Sequence, residues 1–180
     1  LLVGEASIAT TDAVLLATIL AAQGVFLRIY KAARENRSLS HPVEFALLGW
    51  AAIGVGVLVK GPVAPAVPLL TLAALSLWDR DVRWLRKLRP LSGIIVVLLI
   101  VVPWAMAIAL RSRGQFYEQS IGVDFAAKMA GGQESHGAAP GYYLALMTLT
   151  LWPVTLFLIP AIAGAVRARA EPAVRFLLCW

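Results

Sequence analysis

The sequence predicts an all-α, polytopic integral membrane helical bundle, and three observations predict it. Hydrophobic residues make up 60% of the 180-residue chain and charged residues only 14%, about half the charged share usual for soluble domains. The charge is also segregated. Apolar runs long enough to cross a bilayer, roughly 17–25 residues at helical rise, alternate with short polar stretches that hold nearly all of it. Finally, no stretch shows the apolar/polar alternation of a half-buried strand, and no soluble repeat or low-complexity tract competes. A soluble chain of this length would interleave charges along amphipathic helices instead.

Five complete spans are expected, with partial spans at both ends. Residues 1–11 read as the outer end of a preceding helix plus a turn. The first span runs from about Asp12 to Tyr30, where Thr10-Thr11-Asp12 leads into an apolar run. The second covers about Val43 to Val59 and the third about Pro62 to Trp78, divided by Lys60-Gly61-Pro62. Gly61 suits a helix end and Pro62 a helix start. The fourth runs from about Leu91 to Leu110 and the fifth from about Gly141 to Val166; Phe176 onward opens another. The chain starts Leu1-Leu2-Val3, with no initiator Met, basic n-region or cleavage site of a signal peptide. Residues 1–180 therefore read as an internal fragment of one multi-span transmembrane domain.

Lys and Arg set the orientation. The linkers after the first and third spans and the segment after the fifth hold twelve of the 16 basic residues, among them Arg34, Arg37, Arg86, Lys87, Arg89 and Arg175. That side is expected to be cytoplasmic. The opposite side has only Lys60, Arg111, Arg113 and Lys128. The net charge of +6 thus reflects topology and headgroup contact, and no nucleic-acid partner is expected. The extracytoplasmic face receives residues 1–11, the Lys60-Gly61 turn and a long loop over 111–140. Binding residues concentrate on loops held by a rigid scaffold, so the active face is expected there. Cys179 lies in an apolar span and says nothing about disulfides.

Asp12 suits two roles. Asp12 or a neighbouring Thr can cap the first span, accepting amide protons at the positive end of the helix dipole; alternatively, its carboxylate orients or activates a polar substrate group. Lys60 interrupts an apolar stretch, and a cation in mid-bilayer would cost roughly 2.5–3.5 kcal/mol. A turn at the membrane surface avoids most of that. There Lys60 either snorkels and meets the helix C-terminal dipole or serves as counter-charge for a phosphate at headgroup level. In the 131–143 run, His136 is either simply solvated or, with Glu134, part of a metal site. Tyr142 and Tyr143 at a helix mouth fit the interfacial aromatic belt or a substrate contact. Trp104 and Trp152, each beside a proline, shape helices. The P-loop, zincin, G-x-S-x-G and dinucleotide fingerprints are absent.

Taken in order, these residues resemble one family. Ala9-Thr10-Thr11-Asp12, Lys60-Gly61-Pro62-Val63-Ala64-Pro65, Val102-Pro103-Trp104, His136 to Tyr143 and Leu151-Trp152-Pro153 look like the ArnT-like and protein mannosyltransferase group of membrane glycosyltransferases. The resemblance implies a GT-C fold in a bacterial inner membrane, its active face extracytoplasmic. It implies transfer of a sugar from a polyprenyl-phosphate carrier to a lipid, protein or glycan acceptor, without a nucleotide sugar. Asp12 then matches the family's second acidic position, and Lys60 a basic residue near the carrier phosphate. His136 matches a loop histidine that holds a divalent metal in some members; no other cofactor is implied. The family's principal acidic residue would lie upstream of Leu1. Arg111, Tyr142 and Tyr143 join Lys60 and His136 as candidate substrate contacts, with Arg111 or Arg113 a second cation for a departing phosphate. The rival reading is a secondary transporter or lipid-linked sugar flippase, which would also place polar residues at broken helices.

Overall fold

A computed structural model describes residues 11–112, 142, 146 and 150–180. The chain divides into two compact units, one of residues 1–101 with 157–180 and one of residues 102–156. The described residues form six α-helices with short 3-10 turns. These are α1 (Thr11–Arg34), α2 (Pro42–Lys60), α3 (Val63–Asp79), α4 (Pro90–Ser112), α5 (Leu158–Arg167) and α6 (Pro172–Cys179). Three of them, α1, α2 and α4, are long and apolar enough to cross a membrane. Their 24, 19 and 23 residues give about 36, 28 and 35 Å, against a hydrocarbon core of about 30 Å. At 17 residues, α3 reaches about 25 Å.

In the first unit α1 packs on α2, α3 and α6. Its buried stripe, Leu15, Ile19, Ala22, Gln23, Phe26, Ile29 and Tyr30, recurs every three or four residues, as one helical face requires. Lipid chains are as apolar as leucine, so hiding apolar surface from them brings helices together weakly. Close packing and hydrogen bonds do that instead. Small residues supply the close approach. A Cβ on Gly49 would lie 2.8 Å from the Phe26 ring, and one on Gly93 would lie 2.2 Å from the Trp50 indole nitrogen. Trp50 fills that space, stacks edge-on to Phe26 at 5.8 Å and donates to the Leu88 carbonyl at 2.8 Å. A side-chain pair joins α1 to α3 within the bundle: Gln23 Nε2 donates to Thr71 Oγ1 at 2.8 Å, and Thr71 donates to Val67 O at 3.0 Å. At the start of α4 only Gly93 is buried, while Leu91, Ile94, Ile95, Leu98 and Leu99 are exposed. Lipid is the solvent that tolerates such a face.

The fourth span starts and ends within two residues of expectation, and the helix boundary at Gly61 falls where the sequence places it. Gly61 takes φ 61° and its N–H bonds to Val57 O at 2.8 Å, a conformation that favours glycine. The expected fifth span differs. Tyr142, Leu146 and Thr150 are helical, but the chain then turns at 151–153, winds as a 3-10 helix over Val154–Phe157 and resumes as α5. Pro153 and Pro160 explain the break, since each lacks an N–H and clashes with a carbonyl four residues back.

Candidate functional site

Two of the sequence-predicted site residues meet at one end of the first unit. α1 starts there, and there α2 gives way to α3. The antiparallel course of α1 and α2 sets the first turn of one beside the last turn of the other, and Lys60 Nζ donates to Asp12 Oδ1 across 48 residues of sequence. Backbone fit carries the register: a Cβ on Gly56 would sit 2.8 Å from both Thr18 Oγ1 and Ala64 Cβ. Leu15, Ile19 and Ala64 form a small apolar cluster at the same end, with Val57, Val59 and Val67 against it.

Asp12 does not cap the helix. α1 already includes Thr11, so Asp12 stands inside the first turn, near the positive end of the dipole, and Lys60 stands in the last turn of α2, near the negative end. Both stay open, with side chains 68% and 49% exposed. A solvent-exposed pair of this kind contributes only about 0–1 kcal/mol to stability. A ligand can therefore separate the two groups at little cost, one charge facing an anion and the other a hydroxyl or amine.

Arg111 and Tyr142 belong to the second unit. Arg111 is exposed in the last turn of α4, and Tyr142 is helical with half of its surface exposed. Arg113, His136 and Tyr143 lie outside the described residues. Among the described residues no group of three or more His, Cys, Asp or Glu side chains converges as metal ligands would.

The opposite end of the first unit holds a cluster that the sequence reading missed. Asp79 closes α3 with its carboxylate 2% exposed. It accepts from Tyr30 Oη at 2.8 Å, from Arg34 Nη2 at 2.6 Å and from Arg175 Nη1. Arg34 also reaches Asp81 at 3.2 Å. Tyr30 in turn lies edge-on to Trp84 at 5.0 Å and against Phe176 at 6.1 Å. Asp79 lies one residue past the apolar run that ends at Trp78. Burial works against its charge, yet the Tyr30 hydroxyl, Arg175 and Arg34 outweigh that and hold the carboxyl below its ordinary value. The cluster ties α1, α3 and α6 together. A signal was available: Asp79 and Asp81 are the only acids in a linker of five cations.

Residues 1–114 match the family model described as dolichyl-phosphate-mannose-protein mannosyltransferase, a stretch that includes Asp12, Lys60 and all of α1 to α4. The chain belongs to the dolichyl-phosphate-mannose-protein mannosyltransferase family. It is a multi-pass membrane protein, as that membership and its apolar helices together establish. Three relatives, each named undecaprenyl phosphate-alpha-4-amino-4-deoxy-L-arabinose arabinosyl transferase, are similar to it. The one from Erwinia tasmaniensis is 30% identical over all of this chain and 32% of its own length. That from Pseudomonas paraeruginosa is 31% identical over 74% of this chain and 25% of its own. That from Sodalis glossinidius is 31% identical over 83% and 26%. The chain thus spans about a quarter to a third of the curated relatives it matches. No solved structure matches it significantly.

Proposed function

We propose that the whole protein is a membrane glycosyltransferase that moves a sugar from a polyprenyl-phosphate carrier to a lipid, protein or glycan acceptor. The observation that carries this reading is the meeting of Asp12 and Lys60, in a chain of this family, at a membrane-surface turn. In the transfer, the bond between the anomeric carbon and the carrier phosphate oxygen breaks, and the phosphate leaves with the electron pair. An acceptor oxygen forms the new bond. Lys60 neutralises the departing phosphate. Asp12 orients the acceptor, and a hydroxyl acceptor gives up its proton to a carboxylate. The polyprenyl tail requires an apolar flank, which lipid-facing helices offer. Arg111, Tyr142, Tyr143 and His136 are assigned to substrate contacts on the strength of the family pattern. A divalent metal at His136 would have only Glu134 beside it in sequence.

The reading is tested with the full-length protein in proteoliposomes supplied with undecaprenyl phosphate carrying a radiolabelled sugar and with a crude envelope acceptor fraction. The expected result is label covalently joined to acceptor and free undecaprenyl phosphate in equal amount. Label that crosses the bilayer still bound to its carrier would overturn the reading in favour of a flippase. Nothing among the described residues favours that transporter.

We further propose that the Asp12–Lys60 end faces outward from a bacterial inner membrane. Twelve of the 16 basic residues lie toward the other side, as the positive-inside bias requires. A Ser38→Cys probe in the full-length protein is then expected to react with a membrane-impermeant thiol reagent only after the membrane is opened. Reaction in intact cells would reverse the orientation.

A further inference from the structure

At the end of the first unit opposite Asp12 and Lys60 lies a cavity of about 570 Å³ whose lining includes Arg37, Arg86, Lys87 and Arg89 together with Ile29 and Leu39. Its cations are held on a built surface. The 3-10 helix Arg83–Leu88 is pinned by two buried side chains, Trp84 edge-on to Tyr30 and Leu88, whose carbonyl accepts from Trp50. Arg86 and Lys87 fall between those anchors, and Arg89 follows in a left-handed turn, φ 49°, that opens α4. The pocket is also bordered by Pro42, first residue of α2, so a positive helix end borders it as well.

The charge there is not balanced. Among the described residues no carboxylate pairs with Arg86, Lys87 or Arg89; Arg37 alone meets one, Glu35 at 3.3 Å. The neighbouring acids are engaged elsewhere, Asp79 by Tyr30, Arg34 and Arg175, and Asp81 by Arg34 and the Arg83 amide. Three unmatched cations above an apolar wall, at the level where α1 ends and α2 and α4 begin, match a phosphodiester carried on acyl chains.

We propose that this pocket binds the headgroup of an anionic membrane phospholipid, on the face away from the Asp12–Lys60 pair. The headgroup phosphate faces Arg86, Lys87 and Arg89, and the first acyl carbons lie along Leu39 and Pro42. The site requires only membrane embedding, so it stands or falls separately from the transfer reaction.

The test uses purified full-length protein in neutral detergent, titrated with phosphatidylglycerol, phosphatidylcholine or inorganic phosphate and read by the shift in thermal unfolding. Saturable stabilisation by phosphatidylglycerol alone is expected. A variant carrying Arg86→Gln, Lys87→Gln and Arg89→Gln is expected to bind it about a hundredfold more weakly, since each basic residue near an anionic surface contributes about 1 kcal/mol. The single Arg86→Gln variant, exposed and least intrusive, is expected to lose about fivefold. A control with Arg80→Gln and Arg83→Gln, outside the cavity lining, is expected to bind as wild type does. Unchanged binding in the single and triple variants would overturn the site. So would an equal loss in the control, which means diffuse charge. Saturation by inorganic phosphate to the same extent would overturn the lipid as occupant.

Discussion

Asp12→Asn is expected to lower the turnover of the full-length enzyme by about a hundredfold or more, the usual range for loss of a positioned acid or base, while expression and thermal stability stay close to wild type. The separation of the two readouts follows from the geometry. Asp12 is largely exposed, it does not cap α1, and its pair with Lys60 is open to solvent. Pairs of that kind contribute about 0–1 kcal/mol. Asparagine keeps the shape and a hydrogen-bond acceptor for Lys60 and loses only the charge. A structural role would therefore leave both turnover and stability nearly untouched. The check is a transfer assay beside a thermal unfolding curve on the same preparation, and undiminished turnover would remove Asp12 from the reaction.

Asp79→Ala is expected to do the reverse, costing about 3 kcal/mol of stability. Removing one partner of a buried charge cluster costs about 3–5 kcal/mol, because the remaining charges are left without compensation. The lower end applies because Arg34 and Arg175 keep 25% and 23% of their side-chain surface exposed. Asp79→Asn, which fills the same space and keeps one of the two acceptor oxygens while turning an amide NH2 toward the other donors, is expected to lose somewhat less. The pH dependence has a definite sign. The folded-state pKa lies below the ordinary 3.8, so the contribution is complete above that value and is lost as pH falls through the lower, folded one. The stability gap between wild type and Asp79→Asn is therefore expected to be constant above about pH 4 and to shrink below it, the two curves converging only once pH has fallen through the lower, folded-state pKa. Thermal unfolding of the full-length protein across that range checks both points.

The sequence made the fold legible where lipid dictates it. Long apolar runs fix α1, α2 and α4, because a backbone in hydrocarbon must satisfy its own hydrogen bonds and a helix does so locally. The break at Gly61 and Pro62 was legible for the same reason, each residue having one favoured place at a helix end. The run containing Pro153 and Pro160 was not, since its apolar composition reads as a span and its two prolines divide it. The site was legible by half. Asp12 and Lys60 each stand out as a lone charge at the edge of an apolar run, yet only the antiparallel packing of α1 on α2 reveals that they pair. Asp79 escaped notice because a carboxylate among five cations looks solvated until Tyr30, 49 residues away, and Arg175, 96 residues away, close over it. The pocket at Arg86, Lys87 and Arg89 escaped for a related reason: basic linkers read as orientation signals, and the cavity arises from how Trp84 and Leu88 seat the 3-10 turn.

The central claim, that the Asp12–Lys60 end handles the carrier phosphate, is tested most directly by the donor dependence of Lys60 variants in the full-length enzyme. Transfer rates are measured against undecaprenyl-phosphate sugar concentration for wild type, Lys60→Arg and Lys60→Ala, with membrane insertion of each confirmed. The account predicts that Lys60→Ala loses about 2–4 kcal/mol of transition-state stabilisation, about thirtyfold or more in kcat/KM for the donor. Lys60→Arg is predicted to fall between the two, because charge at that point matters more than shape. A Lys60→Ala enzyme with wild-type kcat/KM for the donor would contradict the account and leave Lys60 as a lysine that anchors a helix end at the membrane surface.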